Sequence, residues 1–239
     1  MHKDRHFLLI PGFMCDASLW QLLLPALEQR GHVQLADLNQ GDSIESMAQR
    51  IQATAPAHAI VIGFSLGGYV ARHLAWRLST QAADPGPTGL VLLNTSARAS
   101  TEEELRRNQQ QIHMLATYPY KGQTMTALRR ALHPQRQDDT AMLAHLHAMS
   151  VTLGKEVFLR QLAIQRGDGH HELPLIRCPA LVVASRNDQM RSLEESEKLA
   201  HGLPHAELQI IEDCGHMSPL EKAPELIVLL DQWLKQNGL

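Results

Sequence analysis

Six short runs of Val, Ile and Leu recur along the 239-residue chain: HFLLI (6–10), HVQLAD (32–37), AIVIGF (59–64), GLVLLN (89–94), PALVVAS (179–185) and AELQIIE (206–212). Most show little polar alternation, so each reads as a strand covered on both faces. Helical patterns follow most of them. The clearest comes last, with Leu226, Ile227, Leu229, Leu230, Trp233 and Leu234 on one side. Strands alternating with helices predict a parallel sheet with helices on both faces, binding ligands beyond the carboxyl ends of its strands.

Finer signals place the helix starts. Ser18 with Gln21, and Asp42 with Glu45, read as capping boxes. Pro25 predicts a kink or a late start in the first helix. From Ala97 to His171 no strand is legible, only helical patterns broken at YPYKG, HPQRQDD and TLG. This predicts a helical insertion, 97–171, in a core made of 1–96 and 172–239.

Several function classes are disfavoured. Hydrophobic residues are 44%, charged residues 20% and the net charge is -3, an ordinary globular balance with no basic excess for nucleic acid. No apolar run approaches a membrane span, and the apolar run before Pro11 is too short for a signal peptide. Cys15, Cys178 and Cys214 give no disulfide framework, so a cytoplasmic protein is expected. Cys214 and His216 lack further zinc ligands, and His145 and His147 are spaced for different sides of a helix. His170 and His171 mark a plausible hinge where the insertion returns to the core. No dinucleotide fingerprint is present, because Gly63, Gly67 and Gly68 do not fit G-x-G-x-x-G. No metal and no cofactor are expected.

Three strand ends carry the chemistry. Gly63-Phe64-Ser65-Leu66-Gly67 leaves the third strand and opens a helix. A serine in such a turn is strained, with small neighbours forced by crowding. Asp188 follows PALVVAS and His216 follows AELQIIE. A serine hydroxyl needs a neutral imidazole to take its proton, and a carboxylate to hold the imidazole's tautomer. Ser65, Asp188 and His216 supply those roles in chain order, all at one rim of the sheet.

With these motifs the chain resembles the α/β-hydrolase superfamily over nearly its whole length, and is similar to small carboxylesterases, enol-lactonases and acyl-carrier methyl esterases. The resemblance implies an α/β-hydrolase fold of about six mostly parallel strands, without the usual N-terminal antiparallel hairpin. The insertion then becomes a helical cap after the fourth core strand. Ser65 would be the nucleophile, His216 the general base and acid, and Asp188 the orienting acid. PGFMCDASLW (11–20) looks like the oxyanion loop, with the backbone N–H groups of Phe13 and Leu66 as donors. The family's loop commonly begins His-Gly, where this chain has Pro11-Gly12. Its acid strand usually ends in Gly, where this chain has Ser185. Some relatives carry the acid after the fourth strand, where this chain has Asn94, Thr95 and Ser96, so Asp188 leads and Asp213 is second.

A serine in the elbow implies hydrolysis of a small ester, lactone or thioester through an acyl-enzyme. A carbon–carbon bond hydrolase and a non-catalytic binding protein are the alternatives. Met14, Phe64, Met114, Tyr118, Met142, Met149 and Met217 are expected pocket residues, with Met114, Leu115, Tyr118, Met142, Leu146 and Met149 also forming the cap core. The cap holds ten Lys/Arg and seven Asp/Glu (+3), against twelve and eighteen elsewhere (-6). A small-molecule partner is expected. The basic cap, including Arg106, Arg107, Arg129, Arg130 and Arg136, leaves an acidic carrier protein as an alternative.

Overall fold

The computed structural model describes residues 5–81 and 86–239. Among these residues six strands form one sheet: β1 (His6–Ile10), β2 (His32–Leu35), β3 (Ile60–Phe64), β4 (Gly89–Leu93), β5 (Ala180–Ser185) and β6 (Ala206–Ile211). Their order is β2-β1-β3-β4-β5-β6 and every pairing is parallel. The two central strands are buried at every position, as unalternating apolar runs require. The edges differ. β2 ends at Leu35, two residues early, and its faces are half-exposed or open. Asp37 serves the following turn instead, accepting the Asn39 N–H at 2.9 Å.

Among the described residues nine α-helical elements surround the sheet: α1 (Leu24–Glu28), α2 (Ile44–Gln52), α3 (Leu66–Thr80), α4 (Glu102–Thr117), α5 (Met125–Arg130), α6 (Thr140–Ala163), α7 (Leu193–Gly202), α8 (Ser218–Glu221) and α9 (Ala223–Gln236). Strand side chains alternate between two cores. Phe7, Leu9, Ile62, Val91, Leu93, Leu181 and Val183 face α9 and Trp20. Leu8, Ile10, Val61, Leu90, Leu92 and Val182 face α2, α3 and α7. In α9, Leu226, Leu230, Trp233 and Leu234 are buried, each worth about 1.5–3 kcal/mol or more. Gly89 is small because a Cβ there would stand 2.6 Å from the Trp233 ring.

The helix starts refine the sequence reading. α1 begins late, with Pro25 in its first turn where no N–H is needed. The box expected at Ser18–Gln21 is instead a 3-10 turn, Ala17–Trp20, capped by Asp16. The box expected at Asp42–Glu45 lies one residue later, between Ser43 and Ser46, with the Ser46 hydroxyl also donating to Asp42. Both neighbours are good caps, so composition did not choose between them.

Between β4 and β5 the chain is helical. α6 is two helical stretches joined at a kink. Gly154, the last residue of TLG, has φ 77° and ψ 178°, which is not helical, so the pattern breaks where the sequence reading placed a separation. Leu146 and Met149 join the core under the sheet, and Met142 packs partly against it. Met114 and Tyr118 correct the expected cap core: Met114 on α4 is 57% exposed and Tyr118 at its C-cap 62%, and α4 buries no residue. Among the described residues, no helix is long and apolar enough to cross a membrane.

Candidate active site

Ser65 sits between β3 and α3 at φ 50°, ψ -113°, a conformation few L-residues adopt. Close packing enforces it. A Cβ on Gly63 would lie 2.4 Å from the Gly67 carbonyl, and one on Gly67 would lie 2.2 Å from the Pro11 carbonyl. The Ser65 carbonyl accepts from the Thr95 hydroxyl at 2.7 Å and from the Gly68 N–H at 3.0 Å. The turn is therefore over-determined, and its hydroxyl projects beyond the strand ends.

There it meets the other two residues. Ser65 Oγ lies 2.8 Å from His216 Nε2, and His216 Nδ1 lies 2.7 Å from Asp188 Oδ2. An ionised carboxylate only accepts, so Nδ1 carries the proton and Nε2 is left to accept the serine O–H. Burial pushes the Asp188 carboxyl up. The charge and hydrogen bond of His216, the Met190 N–H and the Asn94 amide more than offset this, leaving it below the usual aspartate value. Asp188 Oδ1 accepts from the Met190 and Arg191 N–H groups at 2.7 and 3.0 Å. All three residues the sequence picked out thus meet at one point. Of the two acids the sequence offered, Asp188 and not Asp213 bonds the histidine ring among the described residues.

The histidine loop is anchored by residues the sequence did not flag. His216 N–H donates to the Ala131 carbonyl at 2.8 Å. Glu221 accepts from His133 N–H at 2.8 Å and Met217 N–H at 3.2 Å. Burial raises the Glu221 carboxyl, partly countered by those N–H groups. A Cβ on Gly215 would stand 2.3 Å from the His133 nitrogen, so the loop seats directly on the chain leaving α5.

The loop after β1 lies beside the elbow. Among the described residues, neither the Phe13 nor the Leu66 N–H meets a hydrogen-bond acceptor. The next N–H is occupied: Met14 donates to Gln161 Oε1 at 2.8 Å, and Gln161 Nε2 donates to the Leu38 carbonyl at 3.0 Å. Buried Gln161 thus clamps a loop whose first residue, Pro11, brings no side-chain hydrogen bond of its own. The helical pattern of α6 gave no sign of this.

The expected pocket residues separate into groups. Phe64 lies with its ring centroid 5.1 Å from that of His216. Met14 joins Val157, Phe158 and Leu162 in a small cluster that also packs Phe13 and Tyr120. Met149 and Met217 are buried in the main core, with Met142 against it. Exposed Met114 and Tyr118 belong to none of these clusters. Tyr120 takes the inward place instead, its hydroxyl donating to the Ser150 carbonyl at 2.9 Å and its ring 5.0 Å from Phe158. Both tyrosines lie in YPY, and only the packing distinguishes them.

Two charged clusters flank the site. Glu104 accepts from Arg98 and Arg166, both at 2.8 Å, and lies 3.7 Å from Arg191. Burial raises its carboxyl, but the Arg98 hydrogen bond and neighbouring charges bring it well below the usual glutamate range. Arg166 and Arg191 also stand over the Tyr69 ring, at 5.1 and 5.8 Å. Behind α3, buried Glu172 pairs with Arg72 and, at 2.8 Å, with His73. It lies in a 3-10 turn, His170–Leu175, that begins at the expected hinge histidines. His145 and His147 turn to different partners, Ser18 and the Lys121 carbonyl. Among the described residues no cluster of three His, Cys, Asp or Glu is placed to hold a metal ion.

A parallel sheet with a strained serine elbow, a histidine and an acid at its carboxyl rim defines an α/β hydrolase. Residues 7–228 match the family described as "Alpha/beta hydrolase family", and the chain belongs to it. It is 25% identical over 226 residues to a pimeloyl-[acyl-carrier protein] methyl ester esterase of Vibrio atlanticus, covering 87% of this chain and 86% of that one. Among solved structures, a thermophilic esterase from Thermogutta terrifontis superposes with a TM-score of 0.82 at 21% identity, covering 99% of this chain and 92% of that one. The enol-lactonase from Burkholderia xenovorans LB400 superposes with a TM-score of 0.79 at 22% identity, covering 98% and 92%.

Proposed function

We propose that this hydrolase cleaves small carboxylic esters through an acyl-enzyme on Ser65. The observation that carries the reading is the unbroken line from Ser65 Oγ to His216 Nε2 (2.8 Å) and from His216 Nδ1 to Asp188 Oδ2 (2.7 Å). As the Ser65 oxygen bonds to the substrate carbonyl carbon, its proton passes to His216 Nε2. The carbonyl π electrons move onto oxygen, for which the Phe13 and Leu66 N–H groups are the proposed donors. Collapse breaks the ester C–O bond, and His216 returns the proton to the leaving alcohol. Water, deprotonated by the same nitrogen, then attacks the acyl carbonyl and releases Ser65. Asp188 keeps its negative charge throughout and stabilises the imidazolium.

The apolar residues beside Phe13, namely Met14, Val157, Phe158 and Tyr120, favour an uncharged acyl chain. The similarity to a methyl ester esterase supports a small alcohol as leaving group. An acidic carrier protein stays the alternative partner: Arg98 and Arg166 are turned onto Glu104, but Arg106, Arg107, Arg129 and Arg130 of the cap are exposed. The protein is expected to act in the cytoplasm. Hydrolysis of p-nitrophenyl esters of graded acyl length tests the reading. Activity on short chains, lost in Ser65→Ala and indifferent to added salt, supports it. A Ser65→Ala protein that still hydrolyses these esters overturns it.

A further inference from the structure

Asn94 follows β4 and is 1% exposed. Its φ of 46° lies in the left-handed region, which asparagine tolerates better than most residues. The backbone there is pinned, since the Asn94 N–H donates to the Val183 carbonyl at 2.9 Å. The side chain makes three contacts. Nδ2 donates to Asp188 Oδ2 at 3.0 Å and to Ser185 Oγ at 2.8 Å, while Oδ1 accepts from the Ser218 hydroxyl at 2.5 Å. The amide cannot be turned round, because its carbonyl would then face a carboxylate that only accepts.

The oxygen it meets on Asp188 is the same one that takes the His216 proton donor. With the two backbone N–H groups on Oδ1, the carboxylate has four donors and no freedom to rotate. Ser218 follows His216 closely, and its own N–H donates to the His216 carbonyl at 3.0 Å. One amide therefore ties the acid to the histidine loop. It also explains Ser185, whose hydroxyl occupies the strand end as a partner for Asn94.

We propose that Asn94 is a positioning residue of the active site: it fixes the oxygen and angle that Asp188 offers to His216, and locks that setting to the histidine loop through Ser218. It acts through Asp188 and not on the reacting atoms. The assignment rests on the hydrolase reading above.

Asn94→Asp is the sharpest probe. It keeps the shape and tolerates the backbone angle, but sets a second carboxylate against Asp188. The two bind a proton more tightly than one alone, and when both are ionised the added charge favours the protonated imidazole. Protonated His216 cannot take the serine proton, so the acid limb of the rate profile moves to higher pH. The other titratable groups nearby are Cys214, whose thiol burial pushes up to about 12, and Glu221, which faces the backbone N–H groups of the histidine loop. Both are shared by wild type and variant.

The test uses the full chain, with p-nitrophenyl acetate hydrolysis and fluorophosphonate labelling followed from about pH 5 to about pH 9, and thermal melts to establish folding. Asn94→Gly, which keeps the backbone angle, should lower kcat about tenfold with KM within about twofold. Asn94→Asp should move the acid limb up by about one pH unit in both assays. A folded Asn94→Gly with wild-type kcat, or an unmoved acid limb in Asn94→Asp, overturns the assignment. Ser65→Ala separates the two levels. If it is inactive while the Asn94 variants match wild type, only the role of Asn94 fails. If it remains active and labelled, the hydrolase reading fails.

Discussion

Replacing Gln161 by Leu should damage catalysis from a position that touches no reacting atom. Gln161 Oε1 is the acceptor for the Met14 N–H, and its Nε2 the donor to the Leu38 carbonyl. Leucine is close in volume and leaves both backbone groups buried without that partner. An orphaned buried N–H costs about 1–3 kcal/mol, and a carbonyl with a second lone pair less. Extra apolar burial returns a part, so the net loss is about 2 kcal/mol. At this chain length that lowers the melting temperature by roughly 4–8 °C. The kinetic effect should be larger than stability alone explains. The Phe13 N–H precedes the freed Met14 N–H, and losing an oxyanion donor outright costs about a hundredfold to a thousandfold in kcat. Partial misplacement should cost about tenfold, in kcat more than in KM. Calorimetry and steady-state ester hydrolysis at a temperature well below both melting points read the two effects separately. A Gln161→Leu protein with wild-type kcat and melting temperature would refute the clamp.

Other consequences follow from the buried charges and thiols. Glu172→Gln strands Arg72, whose guanidinium burial already pulls down, and should destabilise by about 3–5 kcal/mol in urea titrations. A value under about 1 kcal/mol would show that the pair carries no weight. Glu104 is held well below the usual glutamate range, so its stabilising effect is complete above the unfolded value of about 4.3 and fades as pH falls below it. Unfolding free energy measured against pH should therefore fall on acidification, and fall less steeply in Glu104→Gln; parallel curves would count against it. Burial pushes the thiols of Cys15, Cys178 and Cys214 up to about 12, so none should react with a thiol reagent near pH 8 until urea is added. Rapid labelling of the folded chain would contradict this.

What could be read from the sequence follows from physical range. The central strands were legible because covering both faces leaves an apolar run with no polar alternation, as at Ile60–Phe64 and Gly89–Leu93. Ser65, Asp188 and His216 were legible because each lies just beyond a strand end, and parallel strands bring those ends to one rim. Asn94, Gln161 and Glu221 were not. Their roles depend on contacts with Asp188, Met14 and His133, set by packing between distant segments. Helical spacing correctly put Met114 on a helix, while Tyr118 caps its end in an extended conformation, and spacing does not say whether a stripe meets the core. α4 leans on the molecule by few residues and leaves both in solvent. The resemblance to known hydrolases fixed the site's outline, while the amide and carboxylate props beneath it emerged only from the packing.

The central claim is that Ser65 becomes covalently acylated. Mass spectrometry of the intact chain and its peptides after brief exposure to a fluorophosphonate tests it most directly. The expected result is a single adduct on the peptide carrying Ser65, absent in Ser65→Ala and slowed in His216→Ala. An adduct on another residue, or none on wild-type protein that still hydrolyses esters, would contradict it.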